Sequence, residues 1–178
     1  MARGRIARVL LLSILISSQI YPQLQFGYHD ISTEAYYANS VYSIDLDMDG
    51  DMDVLSASIS SSHNEGEIIW YENDGEEDFT SHIISTEAES AKSVYAIDVD
   101  SDGDIDVLSA SYLDNQIAWY ENDGEEGFTQ HIVSTAANGA RSVFATDVDA
   151  DGDVDILSAS KWSNNVAWYE NDGEEGFT

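Results

Sequence analysis

The segment Asp98-Val-Asp-Ser-Asp-Gly-Asp-Ile-Asp106 sets five aspartates at alternate positions around one glycine and runs directly into the apolar pair Val107-Leu108. The pattern recurs from Asp45 to Asp53 (DLDMDGDMD) and from Asp147 to Asp155 (DVDADGDVD), followed each time by Val-Leu or Ile-Leu and then Ser-Ala-Ser. Alternate residues of a tight loop can turn successive carboxylates inward, and a hard cation such as Ca²⁺ takes six to eight oxygens at about 2.3–2.6 Å. The spacing therefore predicts about one calcium ion per loop, three in all. Side-chain ligands are expected at positions 1, 3, 5 and 9: Asp45, Asp47, Asp49 and Asp53; Asp98, Asp100, Asp102 and Asp106; Asp147, Asp149, Asp151 and Asp155. At position 7, Asp51, Asp104 and Asp153 are expected to offer the backbone carbonyl. Glycine at position 6 (Gly50, Gly103, Gly152) supplies the sharp turn. Without a cation, five carboxylates within nine residues repel one another.

An EF-hand needs a glutamate at position 12 and a helix on each side. Here position 12 is Ser56, Ser109 or Ser158, and the flanks are β-branched, aromatic and small. Such flanks read as strands, which places the ion in a strand-to-strand turn.

No other chemistry competes with these loops. There is no Gly-x-Ser-x-Gly elbow, His-Glu-x-x-His or phosphate loop. His29, His82 and His131 share one repeated strand position, which favours packing over catalysis. A carboxylate pair for glycoside hydrolysis would have to come from a chain whose aspartates are largely absorbed by the loops.

The loops sit in a longer repeat. Phe26-Gly-Tyr-His29 aligns with Phe79-Thr-Ser-His82 and Phe128-Thr-Gln-His131, and the loops are spaced by 53 and then 49 residues. Periods of this size mark propellers, solenoids or arrays. Each unit parses into four short strands: Phe-x-x-His, the segment entering the loop, the Ser-Ala-Ser segment leaving it, and a Trp-Tyr-Glu-Asn segment. The units run over roughly 26–78, 79–127 and 128–178 within a repeat region of 19–178. A first strand is thus expected at Phe26–Thr33. Asp-Gly in each Asn-Asp-Gly-Glu-Glu turn is a hairpin signal. Strands apolar on both faces, such as Val94 to Ile97 and Val107 to Ala110, must be covered on both sides, as in stacked propeller blades. Trp70, Trp119 and Trp168 recur at one position and are expected to pack between blades. Trp162 and Tyr112 lie in segments that differ between units, where recognition usually resides, and are the candidates for sugar contact.

The formal net charge is -29, and three of the six basic residues, Arg3, Arg5 and Arg8, lie at the N-terminus. Nucleic acid and anionic membranes are excluded as partners for want of a basic patch. Of the 35 acidic residues, fifteen occupy the three loops and thirteen the Tyr-Glu-Asn-Asp-Gly-Glu-Glu turns together with the adjoining Asp78. The basic start, the apolar run Val9–Ile16 and Ser17-Ser18 read as a signal peptide over 1–18, too short to insert as a membrane span. The chain is therefore expected to be secreted or at the cell surface, where weak all-Asp calcium sites fill.

The aspartate loop followed by Val-Leu, the period near 50 residues and Trp-Tyr-Glu-Asn before the turn resemble the FG-GAP and VCBS repeat family over Phe26 to Thr178. The resemblance implies all-β, four-stranded blades of a β-propeller like the head of integrin α subunits, with calcium between the first two strands of a blade. It implies adhesion or ligand binding, with a protein or carbohydrate ligand. The alternative is a part of an exported carbohydrate-active enzyme such as a propeller-type polysaccharide lyase. With only Lys92, Arg141 and Lys161 as bases after the signal, binding is favoured over catalysis. The Gly-Ala-Pro element of the family is missing, the only proline being Pro22. Three units fall short of the four or more blades of a closed propeller. The chain is thus expected to be a fragment of a larger ring or to self-associate.

Overall fold

The structure, a computed structural model, describes residues 27–59, 65–173 and 176–177. The signal peptide expected over 1–18 and the repeat start at Phe26 lie outside them. Alternation of β-branched or aromatic residues with small ones builds antiparallel sheets. The first takes β1 (Ser40–Ile44), β2 (Asp53–Ile59), β3 (Gly66–Asn73) and β4 (Phe79–Ser85) in that spatial order. The second repeats it with β5 (Ala91–Ile97), β6 (Asp106–Ser111), β7 (Gln116–Asn122) and β8 (Phe128–Ser134). The third has β9 (Ala140–Thr146), β10 (Asp155–Ser160) and β11 (Asn165–Tyr169), with a single bridge from Asn171 to Phe177 where a fourth strand would pair. The fold is all-β, a propeller-like array of blades that does not close on itself.

Each aspartate loop joins the first two strands of a sheet, because β1 ends at Ile44 and pairs with Asp53 at the start of β2. The sheets are offset by one strand from the sequence units: Phe-x-x-His closes a sheet as its fourth strand, Asn73 pairing with Phe79 and Asn122 with Phe128. The strand expected at Phe26–Thr33 does not form among residues 27–39. Among the described residues no Trp-Tyr-Glu-Asn strand precedes it, and the later copies of this segment form strands by pairing with one.

The middle sheet shows why its strands are apolar on both faces. Val94, Ala96, Val107, Ala118 and Tyr120 pack toward the first sheet with Leu55, Ile68 and Trp70. The alternate residues Leu108, Ala110, Ile117 and Trp119 pack toward the third with Val143, Ala145 and Ile156. Neighbouring blades are also tied at their first strands. The Ser40 Oγ accepts from the Val94 N–H at 3.4 Å and the Ser93 Oγ from the Val143 N–H at 3.3 Å. Tyr42, Tyr95 and Phe144 form a ladder along the same strands, with ring centroids 4.9 and 4.7 Å apart.

Equivalent residues differ sharply at the ends of the stack. Trp70 and Trp119 are buried between blades as expected, whereas Trp168 is 43% exposed. Ile68 and Ile117 are fully buried, and their counterpart Val166 is 79% exposed; on the opposite face Val41 is 70% exposed while Val94 is buried. Covering each face is the work of the next blade, and Trp168 and Val166 have none within the described chain. Ile117→Ala is accordingly expected to cost about 2–5 kcal/mol and Val166→Ala within about 0.5 kcal/mol, as measured by chemical denaturation of the dilute chain.

Candidate metal centre

Three loops present the same geometry. Position 6 is glycine at φ near +105° (Gly50 105°, Gly103 104°, Gly152 109°), and no atom lies within 4 Å of where a Cβ would stand. Glycine is required there by backbone conformation rather than by space. Position 4 also turns left-handed, at Met48, Ser101 and Ala150. Asx turns wind the loop: the position-3 carboxylate accepts the position-5 N–H, and the position-5 carboxylate accepts the position-7 N–H, in all three copies. The position-1 carboxylate reaches across to the glycine N–H, with Asp45, Asp98 and Asp147 accepting through Oδ2 at 3.1, 3.2 and 3.1 Å.

This winding gathers ligand oxygens within 4.8 Å of one another from Asp45, Asp47 and Asp49, from Asp98, Asp100 and Asp106, and from Asp147, Asp149 and Asp155. Asp53, Asp102 and Asp151 stand outside these three-member groups, as do the position-7 residues Asp51, Asp104 and Asp153. The position-7 side chains turn instead toward the neighbouring Asn-Asp-Gly turn, so that a Cβ on Gly75 or Gly124 would stand 2.5 or 2.6 Å from a carboxylate oxygen of Asp51 or Asp104. The fit to a cation rests on an orphaned atom. Oδ1 of Asp45 and Oδ1 of Asp98, both members of these carboxylate groups, are buried and accept no hydrogen bond. A buried carboxylate oxygen without a donor is costly, and an oxygen-only donor set suits a hard divalent cation. In the third loop the Asp147 Oδ1 accepts the Ala150 N–H at 2.7 Å.

The position-9 carboxylates are fully buried. Oδ2 of Asp53, Asp106 and Asp155 accepts the N–H of loop position 2, from Leu46, Val99 and Val148 at 3.0, 2.9 and 2.9 Å. Oδ1 accepts the N–H of Asn73, Asn122 and Asn171 at 2.8, 2.8 and 2.9 Å. Those asparagines are structural members of the site that the sequence reading places only in the turns. Each also donates its side-chain amide to the position-8 carbonyl of Met52, Ile105 or Val154, and accepts the N–H of the turn glycine. Their signal was the threefold recurrence of one asparagine between the Trp-Tyr-Glu segment and the Asp-Gly.

His82 and His131 are absorbed by packing, whereas His29, expected at the same strand position, is exposed in an irregular segment. His82 stacks on Trp70 and His131 on Trp119, at 4.5 and 4.6 Å between centroids. Their Nε2 atoms lie 2.7 Å from Glu72 and Glu121.

Burial, then the neighbouring carboxylates, raises Asp47, Asp100 and Asp149 at position 3 above the ordinary carboxylate range. Burial pushes Asp106 up to about 6, against the lowering pull of the Asn122 and Val99 amides. A carboxyl raised in the folded state holds its proton more tightly there than in the unfolded chain. The stability it contributes is complete below the ordinary value of 3.8 and is lost as pH rises through about 6. In chelator the melting temperature is therefore expected to fall as pH rises between these values. Calcium needs the ionised carboxylates, so in millimolar calcium the fall should vanish or reverse. Superimposable pH profiles with calcium and with chelator would contradict this picture.

A profile of the FG-GAP-like repeat family matches residues 45–109 and again 98–158, each match running from the opening aspartate of one loop to the strand after the next. No curated protein matches the chain. The two matches together span well over half of the sequence, and they coincide with the loop-and-sheet unit that the structure repeats. The chain belongs to the FG-GAP-like repeat family and is a β-propeller-like repeat module.

Proposed function

We propose that this chain is a secreted, calcium-binding repeat module that acts in adhesion or in capture of an extracellular ligand, with about one Ca²⁺ in each aspartate loop. The observation that carries the calcium reading is the pair of buried, partnerless oxygens on Asp45 and Asp98 inside clusters of carboxylates. FG-GAP-like repeats are typical of extracellular proteins, where calcium is abundant. Among the described residues no helix is long and apolar enough to cross a membrane. Binding is favoured over catalysis because His82 and His131 are committed to tryptophan and glutamate.

The cation would be held by the side chains at positions 1, 3, 5 and 9 and by the position-7 carbonyl. Its role there is to neutralise the loop and so fasten the first two strands of each sheet. With free calcium at about ten times the dissociation constant, each site adds about 1.4 kcal/mol to stability. Calorimetry should find roughly three sites, and chelator should lower the melting temperature. A melt indifferent to both would remove the reading.

Ligand assignment is tested within one loop. Asp102→Ala is expected to abolish one site. Asp104→Ala should be mild, because that side chain leans on the Gly124 turn. Equal losses of calcium in the two variants would show that the alternating assignment is wrong.

The end faces carry a second proposal: further blades, or a second copy stacked head to tail, cover them. Val148, Val166 and Trp168 are exposed at the positions where Val99, Ile117 and Trp119 bury themselves against the next sheet. Exposed apolar faces of this kind associate. Size measurement in millimolar calcium should show a discrete oligomer or progressive aggregation, and a compact monomer at all concentrations would refute it.

A further inference from the structure

The strands run between two chemically opposite ends. One end collects the aspartate loops and the Asn-Asp-Gly turns, since Asn122 at the end of β7 bonds Asp106 at the start of β6. The other end holds the starts of β5 and β9 and the tight turns after β6 and β10. All three basic residues of the described chain, Lys92, Arg141 and Lys161, lie at this second end.

Two of these cations share one aromatic ring. The Arg141 guanidinium lies 4.9 Å from the centroid of Tyr112, and the Lys92 ammonium 6.0 Å from it. Lys92 also donates to Asn39 Oδ1 at 3.3 Å. Burial, and then the Arg141 charge, lower its pKa. In so acidic a chain these cations would be expected to find carboxylates, yet the ion pairs among the described residues all involve His82 or His131. Two adjacent positive charges thus stand without an anion between them, at an unfavourable Coulomb cost.

Beside them lies a fixed, exposed indole. Trp162 is 54% exposed and packs on Tyr112 at 4.5 Å between centroids. Its ring fits against Gly139, where a Cβ would stand 3.0 Å from the indole. Its turn is tied down by the Trp162 N–H to the Asn138 carbonyl and the Lys161 N–H to the Gly139 carbonyl, both at 3.0 Å. Neither aromatic belongs to the repeat: the residue equivalent to Trp162 is Leu113, and the one equivalent to Tyr112 is Lys161. Blade packing therefore does not account for them.

We propose that Trp162, Tyr112, Lys92 and Arg141 form a binding platform for an acidic sugar, the indole stacking on the pyranose face and the two cations meeting its anionic group. The ring and the anion are read by separate, preorganised groups, so little ordering is lost on binding. This site rests on the reading of the chain as a ligand-binding module and names the class of ligand. Carboxylate and sulfate would satisfy the cations equally, and the test separates them.

The full chain in calcium is titrated with a glucuronate-containing tetrasaccharide, a sulfated glucose tetrasaccharide and an uncharged glucose tetrasaccharide, and the indole N–H resonances of its four tryptophans are followed by NMR. At least one acidic sugar should shift the Trp162 resonance, assigned through Trp162→Ala, while those of Trp70 and Trp119 hold. The uncharged sugar should bind more weakly. The double variant Lys92→Gln, Arg141→Gln should lose about tenfold or more in affinity for the acidic sugar. The probe that binds identifies the anionic group. No response to either acidic sugar, equal binding of the uncharged one, or undiminished affinity in the double variant would each overturn the proposal. Calcium uptake measured on the same samples keeps the two readings apart. Full uptake without a sugar response sinks this site alone, whereas absent uptake sinks the module beneath it.

Discussion

A buried carboxylate can be tolerated only where every lone pair of consequence has a partner, and in this chain the aspartate that closes each loop is such a group. Asp106 takes one backbone N–H from within its own loop and another from Asn122 on the third strand of the sheet. Asp53 and Asp155 do the same. Loop and sheet are therefore one unit. The loop cannot open without orphaning an amide in the sheet, and the third strand cannot shift register without freeing a buried charge. Position 9 thus serves the fold first, and its remaining acceptor capacity faces the cation cluster in the second and third loops.

That unit propagates because one sheet cannot bury its own faces. Alternate residues of β6 and β7 point to opposite neighbours, so Leu108 and Trp119 serve one blade interface while Val107 and Tyr120 serve the other. Pairing Ser with Val and aromatic with aromatic at the first strands adds directional contacts to what would otherwise be a greasy stack. Trp70 and Trp119 are buried and Trp168 is not, because β11 has neither a full fourth strand beside it nor a next blade over it among the described residues.

Much of this was legible in the residues. Five aspartates about a glycine fix a loop whatever surrounds it, and doubly apolar strands demand cover on both sides. What stayed hidden is long-range. The Asp-Gly hairpin signal ahead of Phe79-Thr-Ser-His82 points to the strand before it, and the structure pairs the two, but the repeat lettering does not say which sheet this strand closes. The segment at 27–33 has similar lettering but no Trp-Tyr-Glu-Asn strand before it among the described residues, and it is irregular. The double role of Asp106 was equally out of view, because its second amide comes from Asn122, across the sheet. Tyr112 and Trp162 could be singled out by their failure to repeat. The approach of Tyr112 to Arg141 and Lys92, and of Trp162 to Tyr112, depends on how adjacent blades align.

The one-strand offset between sequence unit and sheet has a consequence for how such chains are copied. A duplication that inserts one period, cut at the phenylalanine that opens it, delivers the outer strand of the sheet already present and three strands of a new one. The recipient sheet is completed by the newcomer, and the newcomer waits for the next copy to complete it in turn. Loss of a period from Phe79 to Gly127 would likewise join β3 to Phe128, and the orphaned edge would be filled by a strand of the same lettering. Genetic gain and loss in whole periods thus leave each internal sheet fully paired, and blade number can drift without any sheet having to be rebuilt.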